Sequence, residues 1–241
     1  MMLGPTEIIA AAAIVFVATM VHASFGFGTA LVAMPLLVSR FGLDIATPLV
    51  GLCALTTVCI VLSTQRSHAD FRAAGLLLTA SLFGLPLGLY FIKAVHGPWL
   101  EYMLGTVIVV YSGWNLLSHQ LPRIESGAVA CLCGFLSGLL GGAYNTNAPP
   151  VVIYGALAHW DAQKFRATLQ GFFLPSAIII CAGHAATGLW TADVFKLLLW
   201  SVPAIVGANV LGAYIASKID PTRYVRTLYC VLIVLGLTMF F

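Results

Sequence analysis

Charged residues are scarce in this chain: they make up 8% of its 241 residues, whereas hydrophobic residues make up 61%. A soluble domain typically contains about 25% charged residues. So few charges cannot cover a water-soluble surface of this size, and we expect most of the outer surface to face lipid. Because one membrane-spanning helix takes about 20 apolar residues, the length leaves room for about seven to nine such segments and no sizeable soluble domain.

The sequence also lacks the motifs of several common chemistries. It contains no GxxxxGK[ST] loop, no HExxH helix, no GxSxG turn and no TVGYG filter. The six cysteines form neither a CxxC pair nor a cluster with histidine at zinc spacing. The net charge of +3 is scattered and forms no basic block. We therefore expect no metal, no cofactor, no nucleic-acid partner and no enzymatic activity.

The apolar runs form eight segments, of which the first and the fifth are interrupted by glycine. They cover residues 8–22 with 29–38, 46–63, 73–92, 99–117, 127–140 with 148–158, 165–186, 194–217 and 224–240. Each interrupted segment opens a series with the same order, and residues 84–90 resemble residues 208–214. The predicted fold is therefore all-α, with two membrane repeats at residues 1–120 and 121–241. Each repeat is a glycine-broken helix pair followed by three spanning helices.

The charges of the loops indicate that the two repeats are inverted. Cytoplasmic loops are enriched in lysine and arginine. Arg66 and Arg72 lie in the loop between the second and third segments, whereas the corresponding loop of the second repeat, residues 187–193, has no basic residue. Inversion requires an odd number of crossings in each repeat, which favours re-entrant broken segments and places both termini outside. The alternative, in which every segment crosses fully, explains the charges almost as well and stays open.

The two glycine breaks form the candidate site. Backbone that leaves a helix at membrane depth needs protein or a polar cavity beside it, and a helix that begins there directs free N–H groups at the gap, which suits an anion. The alternative is that the glycines only let helices pack closely. The candidates are His22, Ser24, Gly26, Gly28 and Thr29 in the first break, and Gly138, Gly141, Gly142, Asn145, Thr146 and Asn147 in the second.

Three longer side chains have a possible role at this site. His22 is a titratable group inside an apolar run, so it can carry a coupling proton or contact the anion; a neutral ring bonded to a carbonyl is the alternative. Arg166 and Gln170 are about one helical turn apart and share a face. Arg166 can attract an anion at the inner mouth, or it anchors the helix at the membrane surface.

These patterns resemble the TauE/SafE family of sulfite and organosulfonate exporters. The resemblance rests on residues 26–36, on residues 134–142 with the later Pro149, and on Ala167 followed by Thr168. It implies a multi-pass protein of the cell (inner) membrane that exports a small sulfur-containing or carboxylate anion.

We expect a secondary transporter that works by alternating access, with one repeat rocking against the other around the breaks. An anion channel and an assembly factor for a membrane complex are the alternatives. The expected partners are a small anionic substrate and the lipid bilayer, and the sequence is compatible with a homodimer.

Overall fold

The computed structural model describes residues 4–64, 71–94, 99–117, 122–218 and 221–240. Arg66 and the side chains of Lys93 and Arg223 lie outside the described part of the chain. The described residues form ten α-helices and one 3-10 turn, without a β-strand, which confirms the all-α prediction. The helices are α1 Pro5–Phe25, α2 Thr29–Phe41, α3 Leu43–Thr64, α4 Phe71–Ala94, α5 Trp99–Leu117, α6 Gly127–Tyr144, α7 Ala148–Leu157, α8 Ala162–Ala186, α9 Ala192–Ala216 and α10 Pro221–Leu237.

Six of these helices are long and apolar enough to cross a membrane. They are α1, α3, α4, α6, α8 and α9, whereas α2, α7 and the fully described part of α10 with the 3-10 turn after it, Tyr229–Phe240, are shorter, and the described residues of α5 do not meet the same requirement. Large apolar side chains such as Phe83, Leu199 and Val210 are at least 70% exposed. An outer surface of this kind suits lipid rather than water, so the helices are those of a multi-pass membrane protein.

The longest helix contacts join the two halves of the chain. α1 packs along α9, α4 along α6, and α5 along α10, while α3 contacts α8. We define bundle A as α1, α2, α3 and α9, and bundle B as α6, α7, α8 and α4, because the helices within each bundle contact one another. Each bundle therefore takes its fourth helix from the opposite half of the chain, and α3 and α8 meet between the bundles.

Glycines form the contact surface within the tightest helix pairs. A Cβ atom at Gly84 or Gly88 of α4 would overlap the backbone of α6, and one at Gly138 or Gly142 of α6 would overlap the backbone of α4. Gly212 of α9 lies against the backbone of α1 in the same way. Small residues at such positions let two helix backbones approach closely. The close-packing interpretation of the glycines therefore holds for Gly138 and Gly142.

The two breaks have the same backbone design. α1 ends at Phe25, where Gly26 adopts a left-handed φ of 86°, and α6 ends at Tyr144, where Asn145 adopts a left-handed φ of 55°. Each following helix begins after the same short interval, α2 after Gly28 and α7 after Asn147. Glycine is the usual residue in this conformation, and asparagine is the side chain that tolerates it best.

The second break is shorter than the sequence predicts. The predicted segment ends at residue 140, whereas α6 continues through Gly141 and Gly142 to Tyr144. Neither glycine has a positive φ, so neither interrupts the helix. Glycine lowers helix propensity by only about 1 kcal/mol, which tertiary packing easily offsets. The break is set by Asn145 instead.

Candidate functional site

The two breaks line one cavity between bundle A and bundle B. The first break contributes His22, Gly28 and Thr29, and the second break contributes Asn145, Thr146 and Asn147. α3 and α8 supply the remaining walls, which are mostly apolar and include Gly51, Ala54, Val58, Phe173, Ala177 and Ile180. The cavity has a volume of about 40 Å³, and one water molecule needs roughly 10–15 Å³ on this scale. The space therefore accommodates a molecule of a few heavy atoms.

His22 offers one ring nitrogen to a ligand in this cavity. The residue is 3% exposed, and its Nδ1 lies 2.9 Å from the hydroxyl oxygen of Thr29. Its Nε2 has no partner that meets the distance and angle limits of a hydrogen bond, but the side chain of Gln170, whose Oε1 is also unpaired, interacts with the ring. When the Thr29 hydroxyl donates to Nδ1, the ring hydrogen is on Nε2, which is then a donor. In this tautomer the hydroxyl orients the ring, and the side chain of Gln170 competes with a ligand for Nε2.

The first turn of α2 supplies backbone donors to the same cavity. Gly28 at the N-cap provides no side-chain cap, and the first bond within the helix runs from Val32 N–H to Gly28 O at 3.2 Å. The N–H groups of Thr29, Ala30 and Leu31 therefore have no acceptor within the helix. All three residues line the cavity. Free N–H groups and the positive end of the helix dipole together favour a bound anion.

The first turn of α7 supplies fewer donors than the first turn of α2. Asn147 at its N-cap also makes no side-chain cap, but Pro149 and Pro150 occupy the second and third helical positions. Proline has no N–H group, so Ala148 is left as the N–H donor of that turn. The side-chain amide of Asn147 donates to Ser176 Oγ at 3.1 Å. The features that bind anions are therefore concentrated at α2.

Asn145 closes the cavity on the side of α3. Its side-chain Nδ2 donates to the backbone oxygen of Thr47 at 2.5 Å. One turn further along α3, a Cβ atom at Gly51 would lie 3.1 Å from Asn145 Oδ1. The absence of a side chain at residue 51 thus makes room for the amide. Beside it, the hydroxyl of Thr146 donates to Leu140 O at 3.5 Å.

Arg166 and Gln170 support the end of α1 rather than line the cavity. Arg166 Nη2 donates to Ser24 O at 2.7 Å, and Gln170 Nε2 donates to Gly26 O at 2.9 Å. These carbonyl groups lie where the helix stops and have no partner within it. The Ser24 hydroxyl donates to Met20 O and to Gly212 O, so it joins α1 to α9. The structure thus gives Arg166 a role that neither sequence interpretation included.

The predicted site residues fall into three groups. The first group lines the cavity: His22, Gly28, Thr29, Asn145, Thr146 and Asn147. The second supports the end of α1: Ser24, Gly26, Arg166 and Gln170. The third lies on α6, where Gly138 and Gly142 face α4 and Gly141 faces Asn147. Sequence reasoning missed Gly51, because a single glycine inside an apolar helix gives no signal of a cavity wall.

One comparison with known proteins gave a match. The model of the family described as "Sulfite exporter TauE/SafE" matches residues 11–239, which is nearly the whole chain. No curated protein and no solved structure matches the chain.

Proposed function

The chain belongs to the TauE/SafE sulfite exporter family, and we propose that it is a secondary transporter that exports a small sulfur-containing or carboxylate anion from the cell. The observation that carries this proposal is the cavity lined both by His22 and by the first turn of α2, whose N–H groups have no acceptor within the helix. Such groups at membrane depth need a polar ligand. Export of an anion from a negative-inside cell gains about 2.3 kcal/mol per charge per 100 mV.

In the proposed complex, the anion lies against the first turn of α2. Its oxygen atoms accept hydrogen bonds from the N–H groups of Ala30 and Leu31 and from His22 Nε2. Hydrogen bonds to charged groups contribute about 1.5–3 kcal/mol each, so a few of them hold an anion that has left water. The small cavity favours sulfite, and a larger organosulfonate requires the walls formed by α3 and α8 to separate.

We also propose that residues 1–120 and 121–241 are inverted repeats, with both termini outside. Two features support the relation between the two repeats, and the loop charges support the placement of the termini. The same step along the chain relates Gly26 to Asn145, Gly28 to Asn147, and Gly51 to Gln170. The related residues make related contacts, because Gln170 donates to Gly26 O and Gly51 faces Asn145. Each break is therefore held by the long helix that follows the other break.

The glycine contacts support the same relation between the halves. A Cβ atom at Gly88 would meet the backbone oxygen of Leu139 in α6, and one at Gly212 would meet the backbone oxygen of Met20 in α1. The number of residues between Met20 and Leu139 equals the number between Gly26 and Asn145, which mark the two breaks. The pairing of α4 with α6 thus corresponds to the pairing of α9 with α1.

For alternating access, the moving units we propose are bundle A and bundle B rather than the two repeats. The α1–α9 and α4–α6 contacts are backbone contacts at glycines, which cannot slide without large strain. These pairs join different repeats, so the repeats cannot rock as separate bodies. Each bundle carries one break, and α3 and α8 meet between them. Rotation of one bundle against the other opens the cavity first to one side and then to the other.

Counterflow into liposomes tests the proposed function. Purified protein is reconstituted, and exchange is measured for sulfite, small organosulfonates and small carboxylates. We expect saturable exchange of at least one anion, and we expect it to be lost when Gly28→Leu is combined with Gly141→Leu. A side chain at Gly28 is strained by the φ of 111° and begins 3.1 Å from Val21, and a Cβ at Gly141 would lie 3.0 Å from the Cβ of Asn147.

Gly75→Leu is the matched control, because Gly75 has open space within 4 Å of its Cβ position. It should retain exchange at the wild-type rate. Ion conductance without exchange would support an anion channel instead. Folded protein that neither exchanges nor conducts any anion of the panel would contradict the transporter proposal and favour an assembly factor.

A further inference from the structure

A second buried imidazole, that of His184, lies in the last turn of α8. The residue is 0% exposed, and neither of its ring nitrogens has a hydrogen-bond partner. A neutral imidazole has one N–H donor and one acceptor nitrogen. Leaving buried polar groups unpaired destabilises the fold. A purely apolar side chain would avoid this cost, so His184 calls for a functional explanation.

His184 lies directly behind the wall of the central cavity. A Cβ atom at Gly51 would be 3.4 Å from His184 Nδ1 and 3.1 Å from Asn145 Oδ1, and Gly51 itself lines the cavity. One turn earlier on α3, the buried hydroxyl of Thr47 also has no hydrogen-bond partner. Unpaired polar groups from α3 and α8 therefore gather beside Asn145, within reach of a water molecule or a proton that enters the cavity.

The two buried histidines have different surroundings. His22 lies in the last turn of α1 and is bound through Nδ1 to Thr29 at the start of α2, so the negative end of one helix dipole and the positive end of another both act on it. His184 is close to Asn145, which caps the C-terminus of α6, the negative end of that helix dipole. A positive charge is favoured near a helix C-terminus and disfavoured near an N-terminus. His184 lies near two helix C-termini, those of α8 and α6, and both of its ring nitrogens are unpaired, so of the two rings it is the one placed to become positively charged.

We propose that His184 carries the proton that is transported together with the anion; this rests on the proposed transport function. A lone pair on the ring accepts the proton from water on one side of the membrane, and the ring returns it to water on the other. The imidazolium and the anion attract each other across the wall at Gly51, so each favours the presence of the other. The pair then moves with one unit less negative charge than the anion alone, so the membrane potential drives export of a divalent anion through one charge and export of a monovalent anion through none.

Other titratable groups on the helices around His184 are few. The described thiols on the neighbouring stretches are Cys53 of α3 and Cys181 of α8, and α6 ends with Tyr144. On α4, the side chain that faces Gly183, the residue before His184, is Leu89, which does not titrate. The charged residues of the described parts of these helices lie toward the helix ends: Asp44, Arg72, Lys164 and Arg166. Asp44 is exposed and lies about two turns before Gly51 on α3.

Two transport assays on the same liposomes test the proposal, with sulfite as the probe. Counterflow is measured at equal pH on both sides, and accumulation is measured with about pH 6 outside and about pH 8 inside at clamped membrane potential. Empty liposomes correct for diffusion of protonated sulfite. We expect His184→Asn to keep measurable counterflow with a raised KM for sulfite, because the attraction between the imidazolium and the anion is lost, and to lose at least about 90% of the accumulation driven by the pH gradient. The matched control is His159→Asn, an exposed histidine, which should behave as wild type.

The two proposals fail in different ways. Undiminished gradient-driven accumulation by His184→Asn overturns the role of His184, while wild-type counterflow leaves the transport function standing. Absence of wild-type counterflow overturns both. If the variant does not fold, NMR of ¹⁵N-histidine-labelled wild-type protein gives the answer: we expect the His184 ring to become protonated at acid pH when sulfite is present. A ring that stays neutral under those conditions also overturns the proposal.

Discussion

The backbone donors of α2 can be removed one at a time without breaking the helix. In Ala30→Pro, the second residue of α2 loses its N–H group. Proline fits the first turn of a helix because its fixed φ is already helical. The chain itself contains the matching case, since Pro149 occupies the same position in α7. The variant therefore changes the candidate anion site more than it changes the fold.

The size of the effect follows from the loss of one hydrogen bond to a charged group. Such a bond contributes about 1.5–3 kcal/mol, and every 1.4 kcal/mol is a factor of ten in affinity. We therefore expect the KM for sulfite in counterflow to rise about 10- to 100-fold in Ala30→Pro. The measurement is the concentration dependence of the initial exchange rate, together with thermal unfolding in detergent to show that the variant is folded.

The reciprocal change in α7 is the control. Pro149→Ala adds one N–H group to the first turn of α7, and we expect its KM to stay within about threefold of wild type, since the proposed anion lies at α2. An unchanged KM in folded Ala30→Pro would refute the assignment of the anion to α2. An equally large change in Pro149→Ala would move the anion toward α7.

Three further variants test other parts of the structure. Thr29→Val removes the hydroxyl that holds His22 Nδ1, so the KM should rise about 2- to 10-fold while the melting temperature changes little; an unchanged KM contradicts the role of the hydroxyl. Gly88→Leu places a side chain into the backbone of α6 and should lower the unfolding free energy by about 3 kcal/mol or more, whereas Gly75→Leu should melt as wild type. Arg166→Met loses the bond to Ser24 O and should destabilise the fold by about 1.5–3 kcal/mol in thermal unfolding, with a KM near that of wild type; a large rise in KM at unchanged stability would instead place Arg166 at the anion.

The helices were predictable from the sequence because their signal is local. Apolar runs of about the length of a membrane span mark them directly. The first break follows from Gly26 and Gly28, which both have a positive φ. The sequence prediction placed the second break too early. It took the glycines at residues 138, 141 and 142 as the end of the helix, whereas the helix ends before Asn145. Only the facing helix shows that those glycines serve packing, since a Cβ there would meet the backbone of α4.

The parts of the site that escaped prediction depend on distant contacts. Arg166 bonds to a carbonyl oxygen 142 residues earlier in the chain, and Asn145 bonds to one 98 residues earlier. Sequence periodicity reports which face of a helix is apolar, but it does not report which carbonyl groups a break leaves unpaired. The same limit applies to His184, whose place beside Gly51 results from the contact of α3 with α8.

The exchange of α4 and α9 between the bundles also determines how the protein can be made. α1 is synthesised first, yet its main packing partner α9 is the ninth of ten helices. α4 likewise waits for α6 before its glycine face is covered. Neither half of the chain contains a complete bundle, so neither can fold to its final packing alone. The first break lacks its neighbours on α8 and α9 until nearly the whole polypeptide is in the membrane. Two separately expressed halves should become stable only when they are produced together.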